Sequence, residues 1–69
     1  MNDDVRNLEK QRGTAKVLAG AIRAEENSCR YYRSLEKIYK GIDLSMLFGK
    51  LADEEEKHKI RLERLVVKL

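Results

Sequence analysis

The sequence predicts an all-α fold: an antiparallel two-helix hairpin that pairs with a second copy of itself to complete a four-helix bundle. Three observations predict it. The chain has no proline, and 39% of its residues are charged, a composition of long, solvated helices. Apolar residues recur at steps of four and three through two long segments. The 69 residues are also too few to bury both apolar faces within one chain, since a core of this size rarely supplies more than ~3–5 kcal/mol.

Residues 1–13 form a leading segment with a weak apolar pair, Val5 and Leu8, and with Gly13 positioned to break or weaken a helix. A short leading helix or a frayed extension is expected there. The first long helix is expected over about residues 14–40. Its seam runs through Ala15, Leu18, Ile22, Glu25, Cys29, Tyr32, Glu36 and Tyr39, widened by a flanking row of Ala21, Ser28, Leu35 and Ile42. Lys40-Gly41-Ile42-Asp43 then punctuates the chain. Glycine supplies a left-handed cap, Ile42 its apolar companion, and Asp43 the N-cap of the next helix. So short a connection joins neighbouring antiparallel helices. The second helix is expected over about residues 43–69, with the seam Leu44, Phe48, Leu51, Glu55, His58, Leu62, Leu65 and Leu69. Met46, Ile60 and Val67 share a different heptad position, which marks a candidate second interface for an assembly larger than a dimer, such as a ring.

Composition also excludes. Cys29 is the single cysteine, so no disulfide staples the fold, which fits a reducing, cytoplasmic setting. No apolar run approaches the ~18 residues of a membrane span, and the acidic, polar start Met1-Asn2-Asp3-Asp4 does not read as a signal peptide. The net charge is +3. Because Lys and Arg interleave with Glu and Asp through both halves, no nucleic-acid partner is expected. The remaining staples for a small domain are a metal, an oligomer or both.

Charged groups on a core seam are costly unless paired or bound to metal, and Glu25, Glu55 and His58 interrupt two largely apolar seams. Counting back from Lys40 to Glu25 and forward from Asp43 to His58 gives about the same distance, ~22 Å of helix. An antiparallel hairpin therefore sets all three at one level. Glu55 and His58 share a helix face because they are three residues apart. Two-fold doubling yields four carboxylates and two imidazoles, the donor inventory of a di-iron carboxylate site. A carboxylate-rich set favours iron or manganese over structural zinc; manganese and zinc are the alternative occupants. The structural alternative is a satisfied buried Glu55–His58 pair, with Glu25 reaching a neighbouring Lys or Arg. Glu26 is the alternative ligand to Glu25, which is preferred because Tyr32 follows it on the same face. Tyr32 is expected in the core with its hydroxyl near the site. Glu26, Glu54 and Glu56 read as solvated surface or an ion-attracting entrance, and Cys29 as a small buried hydrophobe.

Ala24-Glu25-Glu26-Asn27-Ser28-Cys29-Arg30-Tyr31-Tyr32 resembles the first metal-binding helix of ferritin-like and rubrerythrin-like proteins, and Leu51-Ala52-Asp53-Glu54-Glu55-Glu56-Lys57-His58 is similar to their Glu-x-x-His helix. Those proteins carry two such hairpins per chain, whereas this sequence carries one. In that it resembles the half-sized, encapsulin-associated ferritins, whose metal site forms between subunits. The resemblance implies terminal ligands at Glu25 and His58, Glu55 able to bridge two metals, and an encapsulin shell as a further partner. The sequence departs from that group in showing no separate cargo-targeting segment after Leu69. It also lacks the four cysteines of a rubredoxin-type electron-transfer site. For ferrous iron the expected activity is ferroxidase, oxidising ferrous to ferric ions for storage or detoxification. The alternatives are a non-catalytic metal-binding or purely structural helical dimer, and a rubrerythrin-like peroxidase using external electron donors.

Overall fold

A computed structural model describes residues 3–69, with side chains described from residue 7 onward. Met1 and Asn2 of the expected leading segment, and the side chain of Val5, lie outside the described residues. Two helices follow in order, α1 (Asp3–Ile38) and α2 (Asp43–Val67). They form an antiparallel hairpin with no strand among the described residues.

The expected boundary near residue 14 gives way to one helix running through Gly13. A single interior glycine costs only about 1 kcal/mol relative to alanine, and Gly13 stands between good helix formers, Glu9 to Arg12 on one side and Ala15 and Lys16 on the other. Just after it, the Thr14 hydroxyl donates to the Lys10 carbonyl (2.9 Å), keeping that side chain on the helix. With 36 residues against 25, α1 outruns α2 by about 16 Å at 1.5 Å per residue. Residues 7–14 of this overhang are all exposed.

The connection depends on Gly41, whose φ of +94° lies in the left-handed region where a Cβ is strained. At the end of α1, the Tyr39 amide donates to the Leu35 carbonyl (3.0 Å) and the Ile42 amide to the Tyr39 carbonyl (3.2 Å). Two details of the expected turn are corrected. The N-cap of α2 is Ile42, in extended backbone (φ −128°, ψ 164°) with no side-chain capping bond, and Asp43 is the first helical residue. The reason is that Ser45 closes the turn. Its amide donates to the Ile42 carbonyl (2.9 Å) and its hydroxyl reaches across to the Glu36 carbonyl (3.0 Å). The Asp43 carboxylate still sits in the first turn, where the helix dipole favours it. Having taken the extended cap position, Ile42 does not fold back as an apolar companion and is 54% exposed.

The helices meet along a narrow line. Ala52 is fully buried and is the one apolar side chain so buried among the described residues; Gly49 lies beside it in the contact. Glu36 lies over Gly49, in the space a Cβ there would enter. Phe48 packs between Tyr32 and Tyr39 (ring centroids 6.4 and 5.6 Å). Across the outer edge, Arg33 Nη2 donates to Asp53 Oδ1 (2.6 Å), and Nη1 pairs with Glu36 (3.4 Å). The rest of the seam is incompletely covered. Leu18, Ile22, Leu35, Leu51 and Leu62 are half-buried, while Leu44, Leu65 and Leu69 remain 42–48% exposed.

Two glycines should respond oppositely to alanine. A Cβ at Gly20 meets nothing within 4 Å, so Gly20→Ala should stabilise α1 by about 0.5–1 kcal/mol through helix propensity. Gly41→Ala should destabilise, because its backbone is left-handed. Thermal melts followed by circular dichroism should show a higher midpoint for the first and a lower one for the second.

Candidate metal centre

The residues of the site come from facing turns of the two helices. Glu25 lies in α1, Glu55 and His58 in α2, one turn apart. The register that aligns them is fixed by the short Gly41 turn and held nearby by Arg33–Asp53. His58 Nδ1 lies 3.7 Å from Glu25 Oε2 and 3.7 Å from Glu55 Oε1. These separations exceed hydrogen-bond length. One ligand atom from each of the three residues falls within 4.8 Å of the others. Among the described residues this is the one group of His, Cys, Asp or Glu arranged so.

The electrostatics of the group are unfavourable as it stands. Glu25 Oε2 is buried with no hydrogen-bond partner, and such an oxygen costs about 1–3 kcal/mol of desolvation, more if charged. Glu55 is pushed above the usual carboxylate range. The main cause is its hydrogen bond with Glu25, followed by burial and the negative charge of Glu25; His58 partly offsets the shift. No Lys or Arg ion-pairs with either carboxylate among the described residues. The alternative in which Glu25 reaches a basic side chain is therefore absent from the structure. What the group lacks is positive charge at its centre. Two carboxylate oxygens and an imidazole nitrogen, gathered within 4.8 Å of one another, can hold a divalent cation.

The other expected residues take separate positions. Cys29 points away from the triad, its thiol donating to the Ala52 carbonyl (3.6 Å) and approaching Glu56 Oε2 (3.9 Å). Glu54 and Glu56 pair with Lys57 and Lys59 (3.3 and 3.6 Å) on the surface. Glu26 lines an open groove on the outer flank with Cys29, Arg33 and Lys59. Tyr32 stacks on Phe48 and tilts against Tyr31 (5.7 Å). No hydrogen bond joins its hydroxyl to the triad among the described residues. The Arg33–Asp53 clamp was not foreseen. Its partners stand on different helices, and nothing in either local pattern distinguishes them from other surface charges.

A family model described as Rubrerythrin matches residues 16–69, which includes the whole triad. Nothing among curated proteins or solved structures matches the chain. The matched region begins close to where the α1 overhang ends, so it spans the paired part of the hairpin.

The crowding of Glu25 and Glu55 gives a metal-free prediction. A carboxyl whose folded pKa is raised destabilises the folded state while ionised. Stability should therefore rise as pH falls from neutral through the raised Glu55 pKa, levelling off below the ordinary value of 4.5. Glu55→Gln should remove this dependence and raise the midpoint of the chelator-treated protein at pH 7 by a few degrees. Melting curves at several pH values check both statements.

Proposed function

The chain belongs to the rubrerythrin family, and on that premise we propose that it is a di-iron ferroxidase whose site is completed by two copies of the hairpin. The observation that carries the reading is the buried, unpartnered Glu25 Oε2, facing a second carboxylate and an imidazole on a largely apolar seam. One chain supplies two carboxylates and one imidazole, half the inventory of a di-iron carboxylate bundle. The hairpin also leaves apolar surface open: Leu44 and Leu65 on α2, Leu69 just past its end, and Tyr31 and Ile38 on α1 are exposed. A two-fold axis at the level of the triad would cover this surface and bring four carboxylates and two imidazoles together.

In this reading ferrous iron is the substrate. Glu25, Glu55 and His58 would bind it, Glu55 taking the bridging role that the family resemblance implies. The carboxylates favour the harder ferric product over the ferrous substrate. Two ferrous ions give up one electron each, and hydrogen peroxide, taking both electrons and two protons, leaves as two waters; dioxygen is the other oxidant of this class. The apolar seam excludes water around the carboxylates, which strengthens their attraction for the ion. Tyr32, two turns along the same face, is assigned to the wall of the site rather than to its ligands.

Ferrous iron added anaerobically should raise the melting midpoint, by the equivalent of about 2.7 kcal/mol at a hundredfold excess over Kd. Chelator should reverse it. On exposure to oxidant, the ferric absorbance should develop faster than in protein-free buffer. His58→Ala and Glu55→Ala should each return the rate to the buffer background while the chain stays helical, because each substitution strikes both halves of a shared site. A His58→Ala protein that keeps the full rate and metal content would contradict the ligand assignment.

A further inference from the structure

Interleaved along the sequence, which is why no nucleic-acid partner is expected from it, the charges of α1 separate once they are wound into a helix. Lys16, Arg23, Arg30 and Lys37 recur every seven residues, so they form one gently slanting row about 32 Å long at ~1.5 Å per residue. At ~100° per residue the row stands about 120–180° around α1 from Glu25, on the side away from the metal seam. All four side chains are exposed, and none makes an ion pair among the described residues. Beside them runs a row of small residues at the same spacing, Gly20, Asn27 and Ser34, also exposed. A Cβ at Gly20 would meet nothing within 4 Å, so the surface beside the cations is open. The acids of this stretch lie elsewhere. Glu25 belongs to the triad, Glu36 covers Gly49, and Glu26 is half-buried along the groove that Cys29 and Lys59 line. No such separation occurs on α2, where Lys57 is held by Glu54 (3.3 Å) and Asp53 and Glu63 stand among the other cations.

We propose that this face of α1 binds the phosphate backbone of duplex nucleic acid without reading its sequence. Unpaired cations set against phosphates release the condensed counterions of the duplex, and that release drives sequence-independent binding. The row is about as long as one turn of a duplex, ~34 Å, and the small residues beside it let the backbone approach the helix closely. The composition of the face selects this occupant. Neither row carries a large apolar side chain, so the face has nothing to insert into a bilayer and no apolar centre for a protein partner. Neither carries a ring on which an unpaired base could stack, which favours a duplex over a single strand. The net charge of +3 attracts a polyanion at long range. In the paired assembly proposed above, the row would stay on the outer surface, since it points away from the seam. The binding requires neither that assembly nor the metal.

Fluorescence anisotropy tests this, with the full chain titrated into a labelled duplex of about 20 base pairs, two helical turns, between about 50 and 200 mM salt. With four phosphates neutralised, log K should fall against log salt with a slope of about −3.6, whatever the duplex sequence. Arg23→Gln combined with Arg30→Gln should halve the slope to about −1.8, and Asn27→Lys should steepen it to about −4.5. Lys50→Gln combined with Lys57→Gln, an equal loss of charge on α2, should leave the slope unchanged. If the Arg23→Gln, Arg30→Gln protein loses helix by circular dichroism, Lys16→Gln combined with Lys37→Gln decides by the same criterion. No binding at the lowest salt, an unchanged slope in the α1 variant, or an equal loss in the α2 variant would overturn the proposal. So would a single strand or a linear inorganic polyphosphate that binds about tenfold tighter than the duplex at equal phosphate. None of these substitutions touches the triad, so failure here leaves the ferroxidase reading untouched, and a failed ferroxidase assay leaves this one untouched.

Discussion

The repulsion between Glu25 and Glu55 is the constraint around which the rest of the hairpin is organised. Two carboxylates brought together on an apolar seam, one with a buried oxygen that nothing hydrogen-bonds, make a poor core. The shift of Glu55 toward its protonated form is the local response. A bound cation, as proposed above, would relieve the conflict by giving the unpartnered oxygen a ligand and offsetting the paired negative charge. The surrounding structure serves that arrangement. The four-residue turn at Gly41 fixes the register, the Arg33–Asp53 bridge clasps the helices on the turn side of the triad, and the aromatic cluster of Tyr31, Tyr32, Tyr39 and Phe48 lies further toward the turn.

The same constraint links metal to assembly. A chain with one fully buried apolar side chain, Ala52, has little interior with which to offset its ordering entropy. In the proposed dimer a second copy would cover the exposed remainder of the seam, and burial of the seam and completion of the ligand set would be one event. Empty, the joined site would gather four carboxylates without counter-charge; loaded, it would hold the two hairpins through bonds far stronger than leucine contacts. No helix among the described residues is long and apolar enough to cross a membrane.

Much of this was legible in the sequence because it depends on periodicity and counting. The two seams, the left-handed Gly41 and the common level of Glu25, Glu55 and His58 all follow from spacing along regular helices. Terms that depend on competition between local effects were not legible. Gly13 was read as breaking or weakening the helix, and α1 runs through it because its cost is small beside the propensity of its neighbours. Asp43 looks like a cap by composition, but Ser45 closed the turn first and left Ile42 in that place. The position of Tyr32 was a matter of which way a ring turns, and Phe48 decided it. The Arg33–Asp53 bridge joins residues on different helices, a relation that no local pattern encodes. The match to the rubrerythrin family spans all three residues of the triad.

The central claim is that one site belongs to two chains, and metal stoichiometry resolved by assembly state tests it most directly. Native mass spectrometry of the iron-loaded protein reads both at once. The account predicts that pairs of chains carry two iron ions and that isolated chains carry none at concentrations that fill the pairs. Single chains retaining iron as tightly as the pairs, or pairs that stay metal-free while monomers are loaded, would contradict it.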